Sequence, residues 1–231
     1  MRNEVLWLLM LLVNFACILF AYWKFGKLGL YIWIPVSTIL ANIQVVILVN
    51  LFGMSTTLGN ILYAGGFLVT DILSENHGKE DAYLAVKIGF FSLISSTILM
   101  KIAVLFVPQS SPEALEVFNS LKHIFDFLPR IAISSLIAYL LSQTHDVWAY
   151  EKWKNKFQGR KYLWLRNNFS TFVSQIIDNV VFTLLAFWGV YPLDVLIQIF
   201  LSSYILKFIV AIADTPFLYI ANSLKLKKIV E

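Results

Sequence analysis

The sequence is poorest in the residues that build soluble enzymes and disulfide scaffolds. Its one cysteine, Cys17, sits in an apolar run, so an intrachain disulfide is excluded and the residue reads as a small packing group. Its three histidines, His77, His123 and His145, are far apart and form a poor metal set, so no metal or cofactor is expected. Charged residues make up 14% of the chain, against about 25% in a typical soluble domain. No glycine-rich phosphate loop and no HExxH helix is present, and there is no GxSxG elbow. The chain therefore has no ATPase of its own and no catalytic constellation; an enzyme is not expected. Nothing marks a cleaved signal peptide, since the first apolar run is too long and lacks a small-residue cleavage site.

What is abundant is apolar surface. Hydrophobic residues make up 59% of the 231, with 19 Phe, 10 Tyr and 7 Trp, and the mean hydropathy is +0.75. In water such a chain exposes large apolar patches and aggregates; a lipid bilayer is the solvent that suits it. A spanning helix needs roughly 20 mostly apolar residues, and about seven stretches qualify. They run Val5–Tyr22, Leu30–Leu51, Leu58–Leu73, Ala82–Val107, Phe125–Leu141, Phe169–Trp188 and Val195–Asn222. The third contains Gly59, Asn60, Gly65, Gly66 and Asp71, and a re-entrant or broken helix is an alternative there. The fold class is an all-α integral membrane protein.

Short-loop basic residues set orientation. Lys24 and Lys27 follow the first span, residues 144–166 hold Lys152, Lys154, Lys156, Arg160, Lys161 and Arg166, and the tail (225–231) holds Lys225, Lys227 and Lys228. The intervening loops carry almost no Lys or Arg. The N-terminus is expected outside and the C-terminus in the cytoplasm. The 144–166 segment also contains Trp148, Tyr150, Trp153 and Trp164, a pattern suggesting a short helix lying at the interface, or an ordinary topology anchor. The net charge of +4 comes from these clusters, so nucleic acid is not an expected partner.

Ionisable residues inside spans usually face a bundle interior or a cavity. Here they are Asp71, Lys87, Lys101, Arg130, Asp178, Lys207 and Asp214. Asp178 lies ten residues inside Trp188, about 15 Å. Lys207 lies twelve residues inside Val195, about 18 Å. Both fall near the midplane of consecutive antiparallel helices, so a pair that locks the helices, or one that meets a substrate, is expected. Asp71 and Lys87 match in depth in the same way. Arg130 is placed to snorkel at a span end, and Pro216 beside Asp214 weakens the last helix. Gln175, Asp178 and Phe182 share one face of the sixth span. An amide, a carboxylate and a ring suit a flat, hydrogen-bonding heterocycle, although aromatic stripes are more often plain packing.

Four stretches resemble one known family. They are Ala41-Asn42-Ile43; residues 67–78, FLVTDILSENHG, similar to a TD-x-x-x-E-x-x-G signature; Pro129-Arg130-Ile131-Ala132 running on to Asp146-Val147-Trp148; and residues 163–171, LWLRNNFST, running on through Ser174-Gln175 and Asp178 to Trp188. Together they resemble the queuosine precursor transporter family, also called the vitamin uptake transporter family. Tyr63-Ala64 stands where many relatives have Phe-Pro.

The resemblance implies import of 7-cyano- or 7-aminomethyl-7-deazaguanine across a prokaryotic cytoplasmic membrane. It also implies a six-helix core (28–224), similar to the substrate-binding components of energy-coupling factor transporters, behind an added N-terminal helix (1–27). The expected substrate-binding residues are Asn42, Asp71, Arg130, Gln175, Asp178, Phe182 and Lys207. Glu75, Lys87 and Asp214 are candidates for coupling or gating. A solitary carrier is the first expectation, with a homodimer left open and an ATPase module not expected. The alternative is a binding subunit of an ATP-driven importer, docking through the small-residue face around Gly59 and Ala64-Gly65-Gly66, a face that equally suits internal packing.

Overall fold

A computed structural model describes residues 2–45, 47–126, 129–189, 192–227 and 229–230. Eight α-helices and one small hairpin follow in the order α1 (Arg2–Phe25), α2 (Lys27–Gln44), β1 (Leu48–Leu51), β2 (Met54–Thr57), α3 (Gly59–Asn76), α4 (Lys79–Ala103), α5 (Pro112–Asp126), α6 (Pro129–Lys156), α7 (Leu163–Phe187) and α8 (Leu193–Leu226). The helices α1 and α4 and the stretches 160–187 and 196–226 are long and apolar enough to cross a membrane. The three other expected spans fall on α2, α3 and α6.

The surface is apolar outward. Leu9, Phe91, Leu99, Phe106, Ile133, Val173 and Ile212 are among many large hydrophobic side chains left exposed. The interior is where polar groups gather: Asp71, Gln143, Asp146, Asn167 and Gln175 are fully buried. A water-soluble protein arranges these the other way round. In lipid, each polar group is driven to find partners inside the bundle.

The helix α3 sits at the centre, against α1, α2, α4, α6 and α8. Every residue from Ala64 to Ser74 is buried, as expected of a helix surrounded on all sides. Its glycines permit that crowding. A Cβ at Gly59 would meet the backbone of Ala41 and Val45, and one at Gly65 would meet the side chain of Asn14. Gly59 and Gly65 are thus packed against α2 and α1, and Gly66 faces Gln143 of α6, so these small residues serve internal packing. Asn14 on α1 also donates to the Ile61 carbonyl at 3.4 Å.

Four sequence boundaries are corrected. The second span stops at Gln44 rather than Leu51, because the β-branched run that follows suits an extended chain. Residues 48–57 form an antiparallel hairpin turning at Phe52 and Gly53, both at positive φ, the backbone a two-residue turn requires. The expected loop 108–124 instead contains α5. Ser111 accepts from the Ala114 amide at 3.3 Å, with Pro112 at the first helical position, a start signal visible in the sequence. The basic 144–166 segment is not a separate interfacial helix. Its first part is the last three turns of α6, which continues unbroken to Lys156.

The helix ends meet in two rims. At one, Asn3 donates to the Asn50 carbonyl at 3.2 Å and the Phe52 amide donates to Glu4 at 3.3 Å. At the other, Tyr22 and His77 lie 3.1 Å apart, Tyr31 donates to Asp81 at 2.7 Å, and Asn222 donates to Asn76 at 3.0 Å. Lys24, Lys27, Lys79, Lys154 and Lys225 all lie at this second rim or beside it.

Candidate functional site

The helix α7 explains where the polar interior comes from. Its buried residues include Arg166, Asn167, Thr171, Ser174, Gln175, Asp178 and Asn179. They recur at three-, four- and five-residue intervals, one face of a helix. Its outward residues Phe169, Val173, Ile176 and Val180 are exposed and apolar. Facing this stripe are Ser142, Gln143 and Asp146 on α6, Thr70, Asp71 and Glu75 on α3, and Lys207 and Asp214 on α8. The result is three polar layers stacked along the bundle.

The first layer is centred on Asp178. Lys207 Nζ lies 2.5 Å from Asp178 Oδ2, with both side chains almost wholly buried. Lys207 also donates to Asn179 Oδ1 at 2.9 Å and sits 5.1 Å from the Tyr63 ring centroid. Tyr63 donates to Asp178 Oδ1 at 2.5 Å, and Ser142 donates to the same oxygen at 3.3 Å. The Asp178–Lys207 pair anticipated from helical rise is therefore a direct ion pair. Both Asp178 oxygens are occupied.

The second layer lies about 10 Å along α7, seven residues from Asp178. Thr171 donates to Asp71 Oδ2 at 3.4 Å. Asn167 donates to Asp214 Oδ1 at 2.6 Å. Thr70 donates to Gln143 Oε1 at 3.3 Å. Asp146 lies beside Asp71 and next to Ser170, Thr171 and Ser174. Several buried atoms here have no hydrogen-bond partner: Asp71 Oδ1, both oxygens of Asp146, Gln143 Nε2, Asp214 Oδ2 and both ends of the Gln175 amide. Unpaired buried polar groups are costly, so a concentration of them in one layer is a property that needs a reason. Among the described residues no group of three or more His, Cys, Asp or Glu is arranged to hold a metal ion.

The third layer closes the bundle at the basic rim. Arg166, fully buried, donates to Glu75 Oε1 at 2.8 Å and to the carbonyls of Phe157 and Gly159 at 2.7 and 3.0 Å. Tyr150 donates to Glu75 Oε2 at 3.0 Å. Lys154 donates to the carbonyls of Ser74 and Glu75 at 2.6 and 2.9 Å, satisfying the open carbonyls at the end of α3. This layer and the first flank the second along the bundle.

The expected site residues thus divide. Asp71, Gln175, Asp178, Lys207 and Asp214 line the interior, and Glu75 seals it. Phe182 is half-buried, its ring 5.7 Å from that of Phe187. Asn42 is half-buried on α2. Arg130 is exposed at the opposite rim, where Nε and Nη2 donate to the Leu185 and Trp188 carbonyls at 2.6 and 2.7 Å and cap the end of α7. Lys87 is exposed and does not meet Asp71. Its depth matches, but it lies two residues from both Ala85 and Gly89, about 200° round α4 from that buried face.

Sequence reading passed over Asp146, Tyr63, Asn167 and the inward role of Arg166. Asp146 and Arg166 fell in the supposed loop. The signal was the three- to four-residue spacing of Ser142, Gln143, Asp146 and Tyr150, which continues the helical period past the end of the apolar run.

A protein of Bacillus subtilis named "Probable queuosine precursor transporter" is 42% identical over 224 residues, 97% of this chain and 96% of that protein. The "Queuosine precursor transporter" of Escherichia coli is 30% identical over 64% of this chain and 62% of its own length. A "Probable queuosine precursor transporter" of Haemophilus influenzae is 32% identical over 60% and 55%. No solved structure matches the chain significantly. The family profile described as "Putative vitamin uptake transporter" matches residues 57–221, from the end of β2 through the polar parts of α3, α6, α7 and α8. The chain belongs to that transporter family.

Proposed function

We propose that the protein imports queuosine precursors, 7-cyano- and 7-aminomethyl-7-deazaguanine, across the cytoplasmic membrane. The observation that carries this reading is the near-full-length likeness to the Bacillus subtilis protein that bears the transporter name. The layered polar interior supports it, because it gathers buried hydrogen-bonding groups inside an apolar shell.

Seven crossings are assigned to α1, α2, α3, α4, α6, α7 and α8, with α5 lying along the surface. Alternation then places the hairpin rim outside and the basic rim in the cytoplasm, with the N-terminus outside and the C-terminus inside. In this arrangement residues 1–27 are a helix added to a six-helix core (28–224) of the energy-coupling factor binding-component type, with 225–231 as a basic tail. Within the polar interior Asp71 and Gln175 are assigned to substrate, Asp178 and Lys207 to the outer seal, and Glu75 and Asp214 to gating or coupling.

Transport by alternating access requires opening one seal at a time. The Asp178–Lys207–Tyr63 layer is the outer seal and the Glu75–Arg166 layer the inner one. The protein works as a solitary carrier rather than an enzyme. The contacts of Gly59 with α2 and of Gly65 with α1 favour internal packing as the role of that small-residue face.

The test is accumulation of labelled 7-cyano-7-deazaguanine in cells that cannot make it. Expression of this protein is expected to raise accumulation at least tenfold over vector alone. Accumulation equal to vector, with folded protein in the membrane, would rule the function out.

A further inference from the structure

We propose that Asp146 accepts the two hydrogen-bond donors on the guanine-like edge of the substrate, with Asp178 reserved for the outer seal. The inference rests on the transport function above and assigns its recognition residue.

The contrast between the two carboxylates carries it. Asp178 Oδ1 accepts from Tyr63 and Ser142, and Oδ2 accepts from Lys207. A ligand that used Asp178 would first have to displace an ammonium group. Asp146 is fully buried beside the Asp71 carboxyl and the hydroxyls of Ser170, Thr171 and Ser174, yet no well-formed hydrogen bond ends on either of its oxygens. The hydroxyls beside it direct their hydrogens elsewhere: Ser170 to the Asn167 carbonyl at 3.1 Å, Ser174 to the Ser170 carbonyl at 2.8 Å, and Thr171 to Asp71. A buried carboxylate with free lone pairs is a preorganised acceptor for two parallel N–H donors.

A guanine-type ring presents that pair, the ring N1–H and the exocyclic 2-amino group, next to a carbonyl that needs a donor. Donors are at hand in the same buried polar layer. Gln143, one helical turn from Asp146 on α6, has an unpartnered Nε2, and the buried Gln175 amide is unpartnered at both ends. Acceptors and donors left open here therefore match an edge that carries both.

The discriminating ligand is 7-cyano-7-deazahypoxanthine, which lacks only the 2-amino group. Binding of it and of 7-cyano-7-deazaguanine to purified full-length protein in lipid nanodiscs is measured for wild type, Asp146→Asn and Asp178→Asn. Wild type is expected to favour the deazaguanine by about 10- to 100-fold, the worth of a hydrogen bond to a charged group. In Asp146→Asn the two ligands are expected to bind within about threefold of each other, since the amide offers one acceptor and a competing donor. Asp178→Asn is expected to keep the wild-type ratio. A wild-type ratio below about threefold, or a ratio that survives in Asp146→Asn and collapses in Asp178→Asn, would overturn the assignment. Should the asparagine variant not fold, Asp146→Ala is read by the same ratio. Wild type that binds neither ligand defeats the transport reading itself, and the assignment with it.

Discussion

Lys207→Met is expected to cost about 3–5 kcal/mol of stability, the loss seen when one partner of a buried ion pair is removed. The lysine is 5% exposed and its ammonium faces Asp178, Asn179 and the Tyr63 ring. Methionine fills much the same volume, so the loss measures the uncompensated carboxylate rather than a cavity. Asp178→Asn is expected to cost less, because Lys207 keeps its bond to Asn179 and Tyr63 keeps an oxygen acceptor. The double variant Asp178→Asn with Lys207→Met removes both charges. It is expected to recover most of the stability, as replacement of a whole buried pair often does, and to lose uptake because the outer seal can no longer exchange partners. Thermal unfolding in detergent and uptake in cells read the two effects separately. A double variant that is stable and still transports would make the pair a helix lock and nothing more.

Arg166→Met carries the second large effect, at the opposite seal. Arg166 joins α7 to Glu75 on α3 and to the two carbonyls that end α6, while Tyr150 holds the other Glu75 oxygen. Its removal leaves Glu75 with one partner in a half-buried site and frees two backbone acceptors. A loss of about 3 kcal/mol or more is expected. Opening of the basic rim is read chemically. In a Cys17→Ser background, Ser74→Cys places a single thiol behind the seal, since Ser74 is fully buried. Arg166→Met is expected to raise its reaction rate with a membrane-impermeant reagent applied from the basic-rim side at least tenfold. Glu75→Gln, which keeps the Tyr150 contact, is expected to raise it less. Equal rates in all three proteins would show that this layer is not a seal.

Much of the fold was legible because lipid imposes simple rules. Most of each expected apolar stretch falls on a helix, and the basic clusters gather at one rim. Helical rise alone was enough to place Asp178 against Lys207, since both helices are long and antiparallel. The same rule failed for Lys87, because depth along an axis says nothing of angle around it. It also failed where helices outlast their apolar run. The end of α6 was lost to its basic residues, and Asp146 with it, although polar positions there keep the helical period. The strand β1 was hidden at the end of a hydrophobic run, where helix and strand look alike. Arg130 lies at a span end, as its place in the sequence predicts, and its guanidinium caps α7 there.

The most direct measurement of a polar compartment that carries substrate across a membrane uses the purified protein and nothing else. Reconstituted into lipid vesicles preloaded with unlabelled 7-cyano-7-deazaguanine, it is expected to exchange labelled base from outside at a rate well above protein-free vesicles, without ATP and without a second subunit. Exchange is expected to fall at least tenfold in Asp178→Asn with Lys207→Met. Vesicles that hold folded wild-type protein and exchange no faster than empty ones would contradict the solitary carrier.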